Sequence, residues 1–232
     1  MSSLKPILVW GHNMGPNPLK IHIILEELDI PFEYKVIEFN EMKKEPYVSI
    51  NPNGRVPAIE DPNTGVTLWE SGAIIDYLVE QYDKEHKLSY DTVPEKYLVR
   101  QWVAYQISGQ GPYYGQAVWF DRIHPERVQS AVDRYTKEIE RVRSVLETHL
   151  AQSPSGWLVG DKLTVADLSW FMWEQIATFL LGRMDIHLEG KYQHYDAWYK
   201  KLLERPSVRT ALWIRTKEMR SSGLVPDAPD PY

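Results

Sequence analysis

The chain has 232 residues, room for one large domain or two small ones, and its 43% hydrophobic and 25% charged content is that of a globular protein with a sizeable core. A formal net charge of −6 argues against a general nucleic-acid or anionic-membrane surface. There is no cysteine, which excludes disulfide frameworks, thiolate metal sites and a protein-borne thiol nucleophile; any thiol chemistry must use a ligand's sulfur. No long uncharged apolar run and no basic-plus-apolar leader stands out, so the expectation is a soluble cytoplasmic protein. Nine Trp and fourteen Tyr suggest stacking surfaces or an aromatic-lined cleft, with aromatic helix cores as the plainer explanation of each.

In chain order, Pro6-Ile-Leu-Val-Trp10 reads as a short buried strand. Asn17-Pro18 reads as a helix start, Asn17 as N-cap and Pro18 at the first helical position. Ile21, Ile24, Leu25 and Leu28 follow at helical spacing. Phe32–Ile37 is a second strand, and the charged stretch 40–48 a short helix or loop. Pro57-Ala-Ile-Glu and Val66-Thr-Leu-Trp69 are strands joined by Asp61-Pro-Asn-Thr-Gly65, whose turn chemistry makes them a hairpin. From Ser71, the positions of Ile74, Ile75, Leu78 and Tyr82 define another amphipathic helix. The polar stretch 84–94 suits a linker. Beyond it only helical patterns occur: one holding Leu98, Trp102 and Tyr105, with a kink or break expected at Gly109, Gly111, Pro112 and Gly115, then a long one over 132–150. Thr164 caps the next, Asp167 reaches back to the cap N–H, and Leu163 and Leu168 form the hydrophobic staple. Helices over 195–203 and 208–220 end the pattern. The expected fold is therefore an α/β thioredoxin-like N-terminal domain, 1–83, a linker, 84–94, an all-α C-terminal domain, 95–220, and a tail, 221–232.

Two adjoining segments carry the chemistry. In Asn51-Pro-Asn-Gly-Arg-Val-Pro-Ala-Ile59 the proline cannot donate to a central ladder, so Pro57 marks a strand start, an edge or a functional kink. A cis bond there would turn the Val56 backbone outward to pair with an extended peptide. In Trp69-Glu-Ser-Gly-Ala-Ile74, Ser71 stands where free helix N–H groups bind carboxylates. A strand-pairing edge beside a carboxylate cradle describes a site for a small anionic peptide.

Those segments closely resemble the glutathione site of cytosolic glutathione transferases, and the resemblance runs over nearly the whole chain. Gly160-Asp-Lys-Leu-Thr-Val-Ala-Asp167 looks like the capping motif of that family's helical domain, with Thr164 and Asp167 structural, as Pro57 is. Gly15-Pro-Asn-Pro-Leu-Lys20, the segment 51–57 and Gln106-Ile-Ser-Gly-Gln-Gly-Pro112 with Gly115-Gln-Ala117 are most similar to the nu-type branch, which includes the fungal nitrogen-regulator-like proteins. The resemblance implies glutathione as co-substrate and no metal. Glu70 and Ser71 would hold the γ-glutamyl ammonium and carboxylate, Val56 the cysteinyl backbone, Arg55 a ligand carboxylate and Lys43 or Lys44 the glycyl carboxylate, though a solvated charge run explains the two lysines equally. From Trp10 to Leu28 no Tyr, Ser, Cys or Thr is available for the sulfur. Asn17 remains at the matching position, its amide donating to a thiolate at a helix start; His12 is the alternative, though a loop histidine is more often a surface residue. An electrophile pocket between the domains would draw on Tyr113, Tyr114, Trp119 and Phe120.

The implied activity is addition of the glutathione thiolate to a hydrophobic electrophile, in detoxification or secondary metabolism, by a homodimer without nucleic-acid or membrane partners. A glutathione-dependent disulfide-bond reductase or peroxidase is one alternative, and a glutathione-binding regulator with little catalysis is another.

Overall fold

The structure, a computed structural model, describes residues 4–225. The chain divides into two compact units, Met1–Leu88 together with Leu203–Tyr232, and Ser89–Leu202. The first holds strands β1 (Ile7–Gly11), β2 (Phe32–Val36), β3 (Ala58–Asp61) and β4 (Val66–Trp69), with helices α1 (Pro16–Glu27), α2 (Tyr47–Ile50) and α3 (Ser71–Tyr82). Sheet order is β2-β1-β3-β4, β1 parallel to β2 and the other pairs antiparallel. This is the thioredoxin-like arrangement, and the strands fall within a residue of the expected positions. The hairpin turn closes through Gly65 N–H to Asp61 O at 2.8 Å, with Gly65 at φ 77°, where a Cβ is disfavoured. Asp61 also accepts from Tyr77 Oη at 2.6 Å and from Tyr82 Oη, tying the hairpin to α3.

Two departures concern α1. Its N-cap is Gly15 and its first residue Pro16, so Asn17 sits at the second helical position rather than capping the helix. Pro16 explains the shift: its fixed φ suits the first helical position and its missing N–H costs nothing there. Moreover, α1 is buried on nearly every side, from Pro18 to Leu25, beyond the single stripe its apolar residues describe.

The cover comes from α9 (Pro206–Ser221), expected in the helical domain but belonging to the first unit, where it lies against α1. A charged clasp joins them. Glu27, 6% exposed, accepts from Arg205 Nε at 2.9 Å, from Arg205 Nη2 and from Ser207 Oγ at 2.6 Å. Burial alone would push the Glu27 carboxyl up, but these donors hold it below its ordinary value. A carboxyl so depressed adds stability that is present above its unfolded value, near ~4.3, and disappears as pH falls through the folded value. We expect Glu27→Gln to cost about 1.5–3 kcal/mol at pH 7 in urea titrations, and the gap between native chain and variant to close on acidification below about pH 4.3. A gap independent of pH would remove the carboxylate's charge from the account. The expected tail, 221–232, lies outside the described residues from 226 onward.

The second unit is helical: α4 (Glu95–Tyr105), α5 (Gly111–Val118), α6 (Gln129–Leu150), α7 (Val165–Arg183) and α8 (Gln193–Leu203), the last running to the unit boundary. Instead of a break at the glycines, π-helical turns at Gln106–Gln110 and Trp119–Ile123 flank α5. A π turn inserts a residue without surrendering backbone hydrogen bonds, which absorbs the irregularity that glycine and proline introduce. The capping box at Thr164 forms, with Thr164 N–H to Asp167 Oδ2 at 3.0 Å. Asp167 is fully buried and also accepts from Leu158 N–H and Trp198 Nε1, both at 2.9 Å.

Candidate functional site

Register assembles the site. Trp10 aligns with Ala58, and Ala58 with Trp69. The end of β1, the start of β3 and the end of β4 thus share one row of strands spaced about 4.8 Å apart. β1 leads through 12–15 into α1, and β4 leads through Glu70 into α3. Asn17, Val56 and Glu70-Ser71, separated by tens of residues, are thereby delivered to one end of the sheet.

At β3 the Val56–Pro57 peptide is cis, and among the described residues the Val56 N–H and C=O have no hydrogen-bond partner. The preceding loop is tightly held: the Arg55 carbonyl accepts from Tyr47 Oη and from Asn51 Nδ2, both at 2.6 Å. Gly54, at φ 60°, lets this loop close against 42–43; a Cβ there would stand 2.9 Å from Met42 O. That approach sets Lys43 beside the loop, whereas the Lys44 ammonium pairs with Glu41 at 2.8 Å. The Arg55 side chain is exposed.

At β4, Glu70 is exposed with φ 71°, ψ 113°, unusual for a residue with a side chain, and forms the N-cap of α3. Ser71 opens the helix and is 6% exposed. Neither the Glu70 carboxylate nor the Ser71 hydroxyl has a hydrogen-bond partner among the described residues. With the N–H groups of the first turn of α3, they present one acceptor and several donors side by side.

At α1, Asn17 is half-buried in the first turn. His12 is no surface residue: it is 3% exposed, stacked on Phe39 at 4.2 Å, and its Nδ1 accepts from Met14 N–H at 3.2 Å. Its role as acceptor to a backbone N–H makes it a brace of the loop into α1. Lys20 lies one turn beyond Asn17, entirely buried; burial draws its ammonium down to about 7 against the opposing pull of Glu70.

The four aromatic candidates of the helical unit do not stay together. Tyr113, Phe120 and Trp119 keep exposed surface; Phe120 stacks on Tyr135 with centroids 5.7 Å apart, and the Tyr113 ring lies tilted to Tyr135 at 6.3 Å. Tyr114 is not a wall residue. It is fully buried with Oη on Glu174 Oε1 at 2.9 Å, because neighbours on a helix point about 100° apart. Sequence reasoning missed Tyr47, Asn51 and Lys20; for Asn51 alone a signal existed, in the turn chemistry of Asn-Pro-Asn-Gly. Among the described residues no helix is long and apolar enough to cross a membrane, and no cluster of His, Asp and Glu could hold a metal ion.

Residues 5–80 match the glutathione S-transferase N-terminal domain family and 114–212 the glutathione S-transferase C-terminal domain family. A glutathione S-transferase-like protein of Aspergillus terreus, gedE, is 46% identical over 220 residues, covering 91% of this chain and 96% of its own. The glutathione transferase URE2P6 of Phanerochaete chrysosporium, solved with oxidized glutathione, superposes with TM-score 0.86 at 44% identity, covering 94% and 99% of the two chains. Ure2p5 of the same fungus, cocrystallized with 1-(S-glutathionyl)-2,4-dinitrobenzene, gives TM-score 0.85 at 38% identity over 94% and 98%. The chain belongs to the glutathione S-transferase family, in its fungal Ure2-like branch.

Proposed function

We propose that the chain is a glutathione transferase enzyme that binds reduced glutathione at this end of the sheet and adds its thiolate to a hydrophobic electrophile. The observation that carries the reading is the shared strand row, which sets the unpaired Val56 backbone between two helix N-termini. Val56 exchanges backbone hydrogen bonds with the cysteinyl unit, as an added strand would. Glu70 receives the γ-glutamyl ammonium, while Ser71 and the first turn of α3 receive the adjoining carboxylate. Lys43, beside the loop and with no ammonium partner among the described residues, and Arg55 suit the glycyl carboxylate. Asn17 donates its amide N–H to the sulfur. The thiol proton leaves to solvent, the sulfur lone pair forms the new S–C bond, and the electron pair of the electrophile moves to its leaving group or acceptor atom.

The test is the ultraviolet absorbance of bound thiolate against pH, in the native chain and Asn17→Ala. Free thiols ionise near ~8.5. We expect a bound value lowered by about a unit, equivalent to roughly 1.4 kcal/mol, restored in the variant along with an about tenfold loss of kcat/KM toward 1-chloro-2,4-dinitrobenzene. Lowering in both proteins assigns activation to the α1 terminus. No lowering despite binding makes this a glutathione-binding protein with little catalysis.

A second reading, reduction of glutathionyl mixed disulfides, is favoured by the oxidized glutathione held by URE2P6, and with no cysteine in the chain it must run through glutathione thiols. One glutathione thiolate attacks the mixed disulfide at the glutathionyl sulfur, releasing the other thiol and forming oxidized glutathione. Both thiols of the exchange come from ligands.

A further inference from the structure

In the proposed site Val56 meets the ligand through backbone atoms, so what matters there is the direction of one peptide plane rather than a side chain. The Arg55–Val56 bond is not one of the cis peptides of the chain, and in a planar trans unit the carbonyl and the N–H point in opposite directions. Whatever holds the Arg55 carbonyl therefore aims the Val56 N–H. Two side chains hold it: Tyr47 Oη and Asn51 Nδ2 each donate to Arg55 O at 2.6 Å. They are not equivalent. Asn51, 2% exposed, also accepts from Asn53 N–H through Oδ1 at 2.9 Å, and its own carbonyl accepts from Gly54 N–H at 2.9 Å, so it builds the 51–54 turn. Its donation already gives the Arg55 carbonyl a partner. The Tyr47 ring is 1% exposed in an apolar cluster with Trp10, Ile37, Met42 and Ala58, the Trp10 centroid 5.5 Å away. Phenylalanine would fill that cluster without the cost of burying a hydroxyl. A hydroxyl set in such a cluster, and aimed at an oxygen that already has a donor, supplies direction.

We infer that Tyr47 is a positioning residue of the cysteinyl subsite. Its hydroxyl, anchored by the packed ring, turns the Arg55 carbonyl inward and so points the Val56 N–H outward, where the ligand's cysteinyl carbonyl accepts from it. Two donors from separate residues restrain the peptide plane against rotation, which a single donor leaves open. The N–H is then oriented before the ligand arrives, and binding does not have to order it. Tyr47 acts through the Arg55–Val56 peptide and not on the sulfur, so its effect falls on affinity rather than on the chemical step.

The inference rests on the glutathione reading, and the Val56 amide resonance separates the failure of one from the failure of the other. Tyr47→Phe removes the hydroxyl and keeps the ring. Nuclear magnetic resonance follows the Val56 amide in the native chain and the variant, free and with S-hexylglutathione, beside steady-state kinetics with 1-chloro-2,4-dinitrobenzene. In the free native chain we expect the Val56 N–H to be as ordered as rigid backbone, with an order parameter of about 0.85, and its proton to move downfield when S-hexylglutathione binds. In the variant we expect that order to fall to about 0.6. S-hexylglutathione should bind about three- to tenfold more weakly, and KM for glutathione should rise to match. Meanwhile kcat should stay within about twofold of the native value. The thermal midpoint should drop by less than about 4 °C, because Asn51 still serves the carbonyl. A free native Val56 amide with an order parameter under about 0.6 would overturn the inference without any variant. Unchanged order and binding in Tyr47→Phe would overturn it too, leaving Asn51 as a sufficient anchor. Weaker binding with Val56 order retained, or a joint fall in kcat and stability, would reduce Tyr47 to general support of the fold and overturn it likewise. A native chain that binds no S-hexylglutathione, or binds it without moving the Val56 resonance, would overturn the glutathione reading at this subsite itself, and the role of Tyr47 with it.

Discussion

Glu174→Gln is expected to lower the free energy of unfolding by about 3–5 kcal/mol, read in urea as a shift of midpoint at unchanged slope. Glu174 is 0% exposed and its carboxylate accepts from Gln110 Nε2 at 2.8 Å, Tyr114 Oη at 2.9 Å, Arg143 Nε at 2.8 Å and Tyr195 Oη at 2.8 Å. One side chain of α7 thereby holds the first π-helical turn, α5, α6 and α8. Arg143 is 4% exposed and also donates to Thr178 Oγ1 at 2.9 Å. The neutral amide keeps the shape but leaves the guanidinium without its counter-charge, and its NH2, replacing one carboxylate oxygen, faces two of the four donors. Burial pushes the Tyr114 and Tyr195 phenols far up, so neither can supply a replacement anion. The paired change Glu174→Leu with Arg143→Met removes both charges and is expected to cost less than Glu174→Gln alone. A loss below about 1 kcal/mol for the single change would mean that water reaches Arg143 through the cavity of about 420 Å³ that it lines with Thr178, Tyr195 and Tyr199.

Glu70→Gln is expected to weaken glutathione binding by about 10–100-fold, the loss of a charge-assisted hydrogen bond worth about 1.5–3 kcal/mol. Glutamine keeps the side-chain length and avoids judging the variant by what a smaller residue does at φ 71°. That backbone conformation is itself informative: a residue with a Cβ occupies it at a cost, retained where the side chain's direction matters. Because Glu70 is exposed, added salt should weaken the native chain's binding more than the variant's, as screening acts only where the charge remains. A change under twofold, with no difference in salt response, would place the γ-glutamyl ammonium elsewhere.

The parts of this protein that could be read from residues alone are those whose causes are local. Asp61-Pro-Asn-Thr-Gly65 demands a turn, and the flanking strands follow from it at Ala58–Asp61 and Val66–Trp69. Thr164 and Asp167, three apart, form a capping box because both partners lie within one helical turn. Ser71 opens α3 as its place before an amphipathic run implies. The family motifs were legible for the same reason, being short and contiguous.

Nonlocal causes were not legible. Pro16 and Pro18 both suit a helix start, and only the folded loop, with Gly15 N–H on His12 O at 2.9 Å, settles that Pro16 is the first helical residue and Asn17 the second. A histidine in a loop gives no sign that Phe39, 27 positions on, will stack over it. Tyr113 and Tyr114 look alike in sequence, and the direction in which Glu174 lies makes one a surface aromatic and the other part of a buried network. The helix pattern of Pro206–Ser221 was plain, but its membership of the first unit depends on Glu27, Arg205 and Ser207 meeting across some 180 residues. The sequence by itself determined the order of elements, the hairpin turn, the Thr164 cap and the family, since interactions over a few residues or contiguous motifs decide these. Tertiary structure decided which polar side chains are buried, because burial is set by whichever distant segment covers a residue: α9 makes α1 an interior helix, and so turns Lys20 from one more lysine into a fully buried one.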